Sequence, residues 1–283
     1  MKHCNLFLYL ILALFAVSCT QQPTSDKESL YVSVLPLKGI VKQIVGDDFR
    51  IEVLVPSGAS PETFEPTPRQ FVGLNQARLI FNVGLIPFEK SLLSKLDVQD
   101  KIVNLSHGID LIEGMCSHVN PDHAHGVDPH VWTAPKALKI MAENAFKAIE
   151  KAYPDSVKYA QNHAILQERL TLLDQEIATK IEDSGLEYFI IYHPAFTYFA
   201  RDYGIRQVAI EDDGKEPSAK QLARLIEQAR KDDVRRIFCQ SQFPRSTVEI
   251  ISFDVDAEVV MVDPLREDVE QNIREITDLM TKE

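Results

Sequence analysis

The chain has 283 residues and a formal net charge of −12, with 45 % apolar and 25 % charged residues. That composition suits a soluble globular protein with one large domain or two ordinary ones. Its acidity argues against a nucleic-acid partner, since phosphate contacts need a basic face. None of the four cysteines sits in a CxxC, which excludes a cysteine zinc knuckle.

In chain order, residues 1–18 read as a secretory signal: one lysine in MKHCN, the apolar run LFLYLILALFA, then AVSC. The run is too short to span a bilayer as a stable helix. Its end resembles a bacterial lipoprotein box, with Ala16 where leucine is usual, making Cys19 a lipidated N-terminus. A plain signal peptide with an incidental Cys19 is the alternative. Loss of Lys2 with the leader takes the mature chain to −13. Residues 19–29 are polar, with nothing to bury, and suit a flexible tether.

Residues 30–152 read as an N-terminal α/β lobe. YVSVL (31–35), IEVLV (51–55), LIFNV (79–83) and KIVNL (101–105) are short, β-branched runs of buried-strand type. Helical patterns separate them, the clearest opening at Thr67 as N-cap with Pro68 at the first helical position. Thr133-Ala134-Pro135 opens a helix reaching about Lys151. Residues 153–185 form a linking helix with an apolar stripe of Val157, Ala160, Ala164, Leu166, Leu170, Leu173, Ile177 and Ile181. Spanning 155–182, it would be about 42 Å long at ~1.5 Å per residue, a stiff spine. Residues 186–283 read as a C-terminal α/β lobe with strands at 188–192, 206–210, 235–239 and 258–262. The fold class is therefore α/β: two lobes, each a four-stranded, mainly parallel sheet flanked by helices, joined by one long rigid helix.

Ligands of open α/β sheets gather beyond the carboxyl ends of the strands. Glu62 follows the second strand, His193 and Asp263 directly follow two later ones, and His130 precedes the Thr133 helix. Two imidazoles and two carboxylates suit a closed four- or five-coordinate metal site. Each also has an ordinary reading: His193 and Asp263 precede prolines in turns, His130 sits near Trp132, and Glu62 lies in a Pro/Gly/Ser loop. Asp128 and Glu65 lie close enough in sequence to orient the imidazoles. Cys116 and Cys239 are far apart, and their pairing is open.

The segments GASPETFEPTPRQ, DPHVWTAPK, YHPAFTYFARDYG, EPSAKQLARLI and VDPL, in this order, resemble the solute-binding lipoproteins of bacterial zinc and manganese ABC importers. The similarity covers nearly the whole mature chain. It implies two α/β lobes on a rigid helix, a metal between them, and Glu62, His130, His193 and Asp263 as ligands. Two departures stand out: Glu62 occupies a place usually held by histidine in zinc-selective members, and Gln240 one where an acid is common. Oxygen ligands suit manganese better than an all-histidine set would, although they also bind zinc.

Upstream of His130, the residues His118, Asp122, His123 and His125 form a short His-rich loop of metal-capture composition. It favours zinc over manganese, because imidazole binds zinc more tightly in the usual affinity order. The expected protein is a monomeric, extracytoplasmic receptor, lipid-anchored to the membrane. It would hand Zn2+, or alternatively Mn2+, to an ABC permease and its ATPase. A zinc hydrolase is the competing class, but HExxH, GxSxG and P-loop patterns are all missing. Proteins of this resemblance have also been described as adhesins.

Overall fold

Short β-branched runs alternating with helices build two separate sheets. The computed structural model describes residues 27–113, 126–211 and 215–282. In the N-terminal half, β1 (Ser29–Val32), β2 (Arg50–Val53), β3 (Leu79–Asn82) and β4 (Ile102–Asn104) pair in the order β2-β1-β3-β4. Their helices are α1 (Leu35–Val45), α2 (Pro68–Gln76), α3 (Pro87–Leu93) and α4 (Pro135–Ala152). Prolines open each of them within the first two positions, where the missing N–H costs nothing.

The C-terminal half repeats this plan. β5 (Tyr188–Ile191), β6 (Arg206–Ala209), β7 (Arg236–Gln240) and β8 (Glu258–Val262) pair in the order β6-β5-β7-β8, and every strand pair in both sheets is parallel. Here the helices are α6 (Thr197–Asp202), α7 (Ala219–Lys231), α8 (Ser246–Val255) and α9 (Val269–Thr281). In each sheet the strand order reverses beside the first strand, which opens a crevice at the carboxyl ends.

Between the halves runs α5 (Val157–Ser184), 28 residues long and ended by Gly185 in the left-handed conformation. Leu166, Leu170, Leu173, Ile177 and Ile181 are buried on it. They belong to one continuous apolar core that takes in Val32 and Phe81 of the first sheet, Ile191 and Phe238 of the second, and Ile276 of α9. Smaller clusters lie on the outer faces, beneath α2 and α3 on one side and α7 and α8 on the other.

Polar ties reinforce this seam. Arg169 of α5 reaches both Gln43 of α1 (2.9 Å) and the buried Glu270 of α9 (2.8 Å). Lys38 of α1 pairs with Glu267 at 2.7 Å. The indole N–H of Trp132 donates to the Pro264 carbonyl at 3.0 Å, across the two halves.

Several boundaries differ from the sequence expectation. β1 begins at Ser29, inside the expected tether, because Ser29 already pairs with Arg50. Most strands end one to three residues early, although the ladder bonding continues: Leu54 N–H donates to Val32 O and Val55 N–H to Ser33 O. The first third of the expected helical stripe is also out of phase. Val157, Ala160 and Ala164 are exposed, and Tyr159 is buried in their stead. Counting back from Leu166 by 3.6 residues per turn leads to 162 and 159, and Asn162 does donate to the Ile44 carbonyl at 2.9 Å. Cys239 is buried with a free thiol, while Cys19 and Cys116 lie outside the described residues.

The two halves approach closely at Gly39 of α1, where an added Cβ would stand 1.9 Å from the Glu267 carbonyl oxygen. Gly39→Ala is expected to lower stability by about 1–3 kcal/mol through overpacking, as read from urea unfolding. An unchanged midpoint would mean that this contact is loose.

Candidate metal centre

The site forms where loops from both halves meet over the carboxyl ends of the strands. Glu62 lies in the loop between β2 and α2. That loop is fixed at its far end by a capping box: Gln70 N–H donates to Thr67 Oγ1 (3.3 Å) and Thr67 N–H to Gln70 Oε1 (2.9 Å). His130 stands before a single 3-10 turn, Val131–Thr133. His193 follows β5 after one residue, Tyr192.

These three side chains converge. His193 Nε2 lies 3.0 Å from Glu62 Oε1 and 3.2 Å from His130 Nε2. One donor atom from each lies within 4.8 Å of the others, the geometry of a site that can hold a metal ion. The imidazoles are nearly covered, with side-chain exposures of 12 % for His130 and 9 % for His193, whereas Glu62 is 38 % exposed and faces the opening. Pro129, Trp132, Phe243 and Leu265 line the same cleft and give it an apolar wall.

Each imidazole has a carboxylate behind it. Asp128 Oδ1 accepts from the His130 backbone N–H (2.8 Å) and lies 2.9 Å from its Nδ1. The Tyr198 hydroxyl donates to the Asp128 carbonyl at 2.7 Å and holds that turn in place. Glu211, the residue two past β6, lies 2.7 Å from His193 Nδ1. Both carboxylates act on the nitrogen facing away from the cleft, which leaves each Nε2 directed into it. The Gln240 amide pairs with the His193 backbone, accepting from its N–H (3.1 Å) and donating to its carbonyl (2.5 Å). Phe243 stacks on the His193 ring at 4.9 Å between centroids.

Asp263, expected beside these ligands, falls outside the three-residue cluster. Its Oδ1 accepts from Gln242 Nε2 (2.8 Å) and from the Leu265 N–H (2.9 Å), so the turn at Pro264 and a neighbouring amide hold it. Asp128 does take the orienting position expected of it. Glu65 is exposed, and among the described residues no hydrogen bond or ion pair joins it to an imidazole. His118, Asp122, His123 and His125 lie outside the described residues. Sequence reasoning misses Glu211, although it sits just past a strand end as His193 and Asp263 do.

Burial disfavours a charged His193, but the Glu211 and Glu62 carboxylates at its two ring nitrogens outweigh it and raise its pKa to about 9. Burial likewise opposes ionisation of Glu62 and Asp128, yet hydrogen bonding to His193 and to His130 holds both below the ordinary carboxylate value. Without a metal and below about pH 9, a proton on His193 therefore occupies the point where the three donors meet.

A family model described as zinc-uptake complex component A, periplasmic, matches residues 30–283. The zinc-binding lipoprotein AdcA of Streptococcus pneumoniae is 28 % identical over 97 % of this chain, which spans only 57 % of that relative. The high-affinity zinc uptake system protein ZnuA of Bacillus subtilis is 29 % identical, with 93 % of this chain and 89 % of the relative covered. Among solved structures, a zinc-bound ZnuA deletion mutant superposes with a TM-score of 0.82 at 32 % identity, covering 90 % of this chain and 97 % of that one.

In metal-free protein the His193 ring protons are expected to titrate near pH 9 by NMR, and Glu211→Gln to move the midpoint down toward the ordinary 6.5. Because the folded-state value is raised, His193 contributes stability that is complete below about 6.5 and is lost as pH rises through about 9. A wild-type midpoint at or below 6.5 would contradict the paired arrangement.

Proposed function

The chain belongs to the zinc-uptake complex component A family, and we propose that it captures a divalent metal ion, zinc foremost, outside the cytoplasmic membrane and passes it to the permease of an ABC importer driven by a partner ATPase. The observation that carries this reading is the convergence of Glu62, His130 and His193 on one point between the halves, each imidazole backed by a carboxylate. Asp263 is the proposed fourth ligand through Oδ2, since the hydrogen bonds at that side chain engage Oδ1. Two imidazoles and two carboxylates suit tetrahedral zinc, and imidazole favours zinc over manganese in the general affinity order.

Cys19 would anchor the protein to the membrane by a lipid, with residues 20–28 as the tether. The His-rich loop would gather zinc near the cleft. Its described flanks support this: Glu113 bridges Val127, and Asp128 N–H bonds to the Ile112 carbonyl, so the segment starts and ends beside the Asp128 turn that carries His130.

Competitive titration of protein truncated after Cys19 is expected to give one tightly held zinc per chain that manganese does not displace. His193→Ala and His130→Ala should each abolish it. Because zinc must displace the His193 proton, affinity should rise by about tenfold per pH unit between roughly pH 7 and 9 and level off above. Displacement of zinc by manganese would reassign the cargo to manganese, with Glu62 as the residue that resets the site.

Deleting 118–125 should slow loading at scarce zinc, measured by stopped-flow competition, and leave equilibrium affinity intact. A collapse of affinity would instead place loop histidines in the tight site.

A further inference from the structure

Glu211 makes the shortest contact to either imidazole and is 5 % exposed at its side chain. The other supports of His193 act elsewhere on it. Gln240 holds the backbone on both sides of the residue, and Phe243 lies against the ring face. Among the described residues, Glu211 alone lies within hydrogen-bonding distance of Nδ1, as its acceptor.

We propose that Glu211 is a positioning residue that fixes which nitrogen of His193 meets the metal and sets how tightly the site holds it. The inference rests on the metal-receptor reading above. An ionised carboxylate has no proton to donate, so it can only accept from Nδ1–H. A neutral His193 then carries its lone pair on Nε2, the nitrogen 3.0 Å from Glu62 and 3.2 Å from His130. The carboxylate also places a negative charge behind the ring, in a covered place where solvent screens it little, and this offsets part of the charge of an arriving cation. A glutamine there keeps the length and one acceptor but loses the charge. Its amide can also turn and donate, which would put the Nδ1 lone pair toward it and the proton on Nε2, facing the cleft.

The test uses the soluble chain truncated after Cys19, zinc sulfate or manganese chloride, and a chromophoric chelator as competitor. It compares wild type, Glu211→Gln, Glu211→Ala, Glu211→Asp and His193→Ala, each checked for native circular dichroism. Wild type is expected to bind one zinc and His193→Ala none. Glu211→Gln should weaken zinc binding by about 10–100-fold, and Glu211→Asp should recover part of the loss. In zinc-loaded wild type, the Nδ1–H proton of His193 should give a downfield NMR resonance, absent in Glu211→Ala.

If Glu211→Gln and Glu211→Ala bind zinc as wild type does while His193→Ala fails, the positioning role is overturned and the receptor reading stands. An Nδ1–H resonance that persists unshifted in Glu211→Ala would overturn it equally. If wild type binds neither metal, the receptor reading falls and takes this inference with it.

Discussion

The apolar seam along α5 is the constraint from which the rest of the architecture follows. Both sheets turn their inner faces to the helical layer that contains it, so the two halves share one core. Swinging them apart would expose Leu173 and Ile177, each contributing about 1.5–3 kcal/mol by its burial. The tie from Arg169 to Glu270 and the indole bond from Trp132 to Pro264 act across the same boundary. The loops bearing Glu62, His130 and His193 are consequently held at a set spacing, and adjustment around a ligand falls to side chains and turns.

Within that frame, acid–base chemistry sets the state of the cleft. Two imidazoles are flanked by Glu62, Asp128 and Glu211, a surplus of negative charge in a partly dry place. A proton on His193 compensates for it when no cation does. On the proposed metal reading, a proton and a divalent ion would compete for the same nitrogen, and a single positive charge in the cleft would give way to a double one.

The sequence made much of this legible. Short β-branched runs between helical patterns identify the sheets, with Pro-led helices marking the first of them, and the 3.6-residue period locates the buried face of α5 from Leu166 onward. That period fails near the start of the helix, where Val157, Ala160 and Ala164 are exposed: Val157 is the first helical residue, and an alanine side chain has too little area to fix a buried face. Strand ends were blurred, since ladder bonds continue past the last regular residue. The pair Asp128 and His130 could be found by proximity along the chain. Glu211 could not: its contact to His193 joins the ends of two neighbouring strands across 18 residues, and its neighbours Asp212 and Asp213 make it look like part of an acidic turn. The hold of Gln242 on Asp263 bridges two different strand ends and is equally invisible in one dimension.

Trp132 is the single tryptophan of the chain. Its ring stands edge-on to His130 at 5.3 Å between centroids, and its N–H is pinned to a carbonyl of the opposite half. The chain thus carries an intrinsic optical reporter at its own cleft, a single indole in one orientation, whose emission is separable from that of the eight tyrosines. A cation entering beside His130 would alter the electric field at that indole, and slippage between the halves would loosen its hydrogen bond, so the indole emission of the untouched protein would register both events.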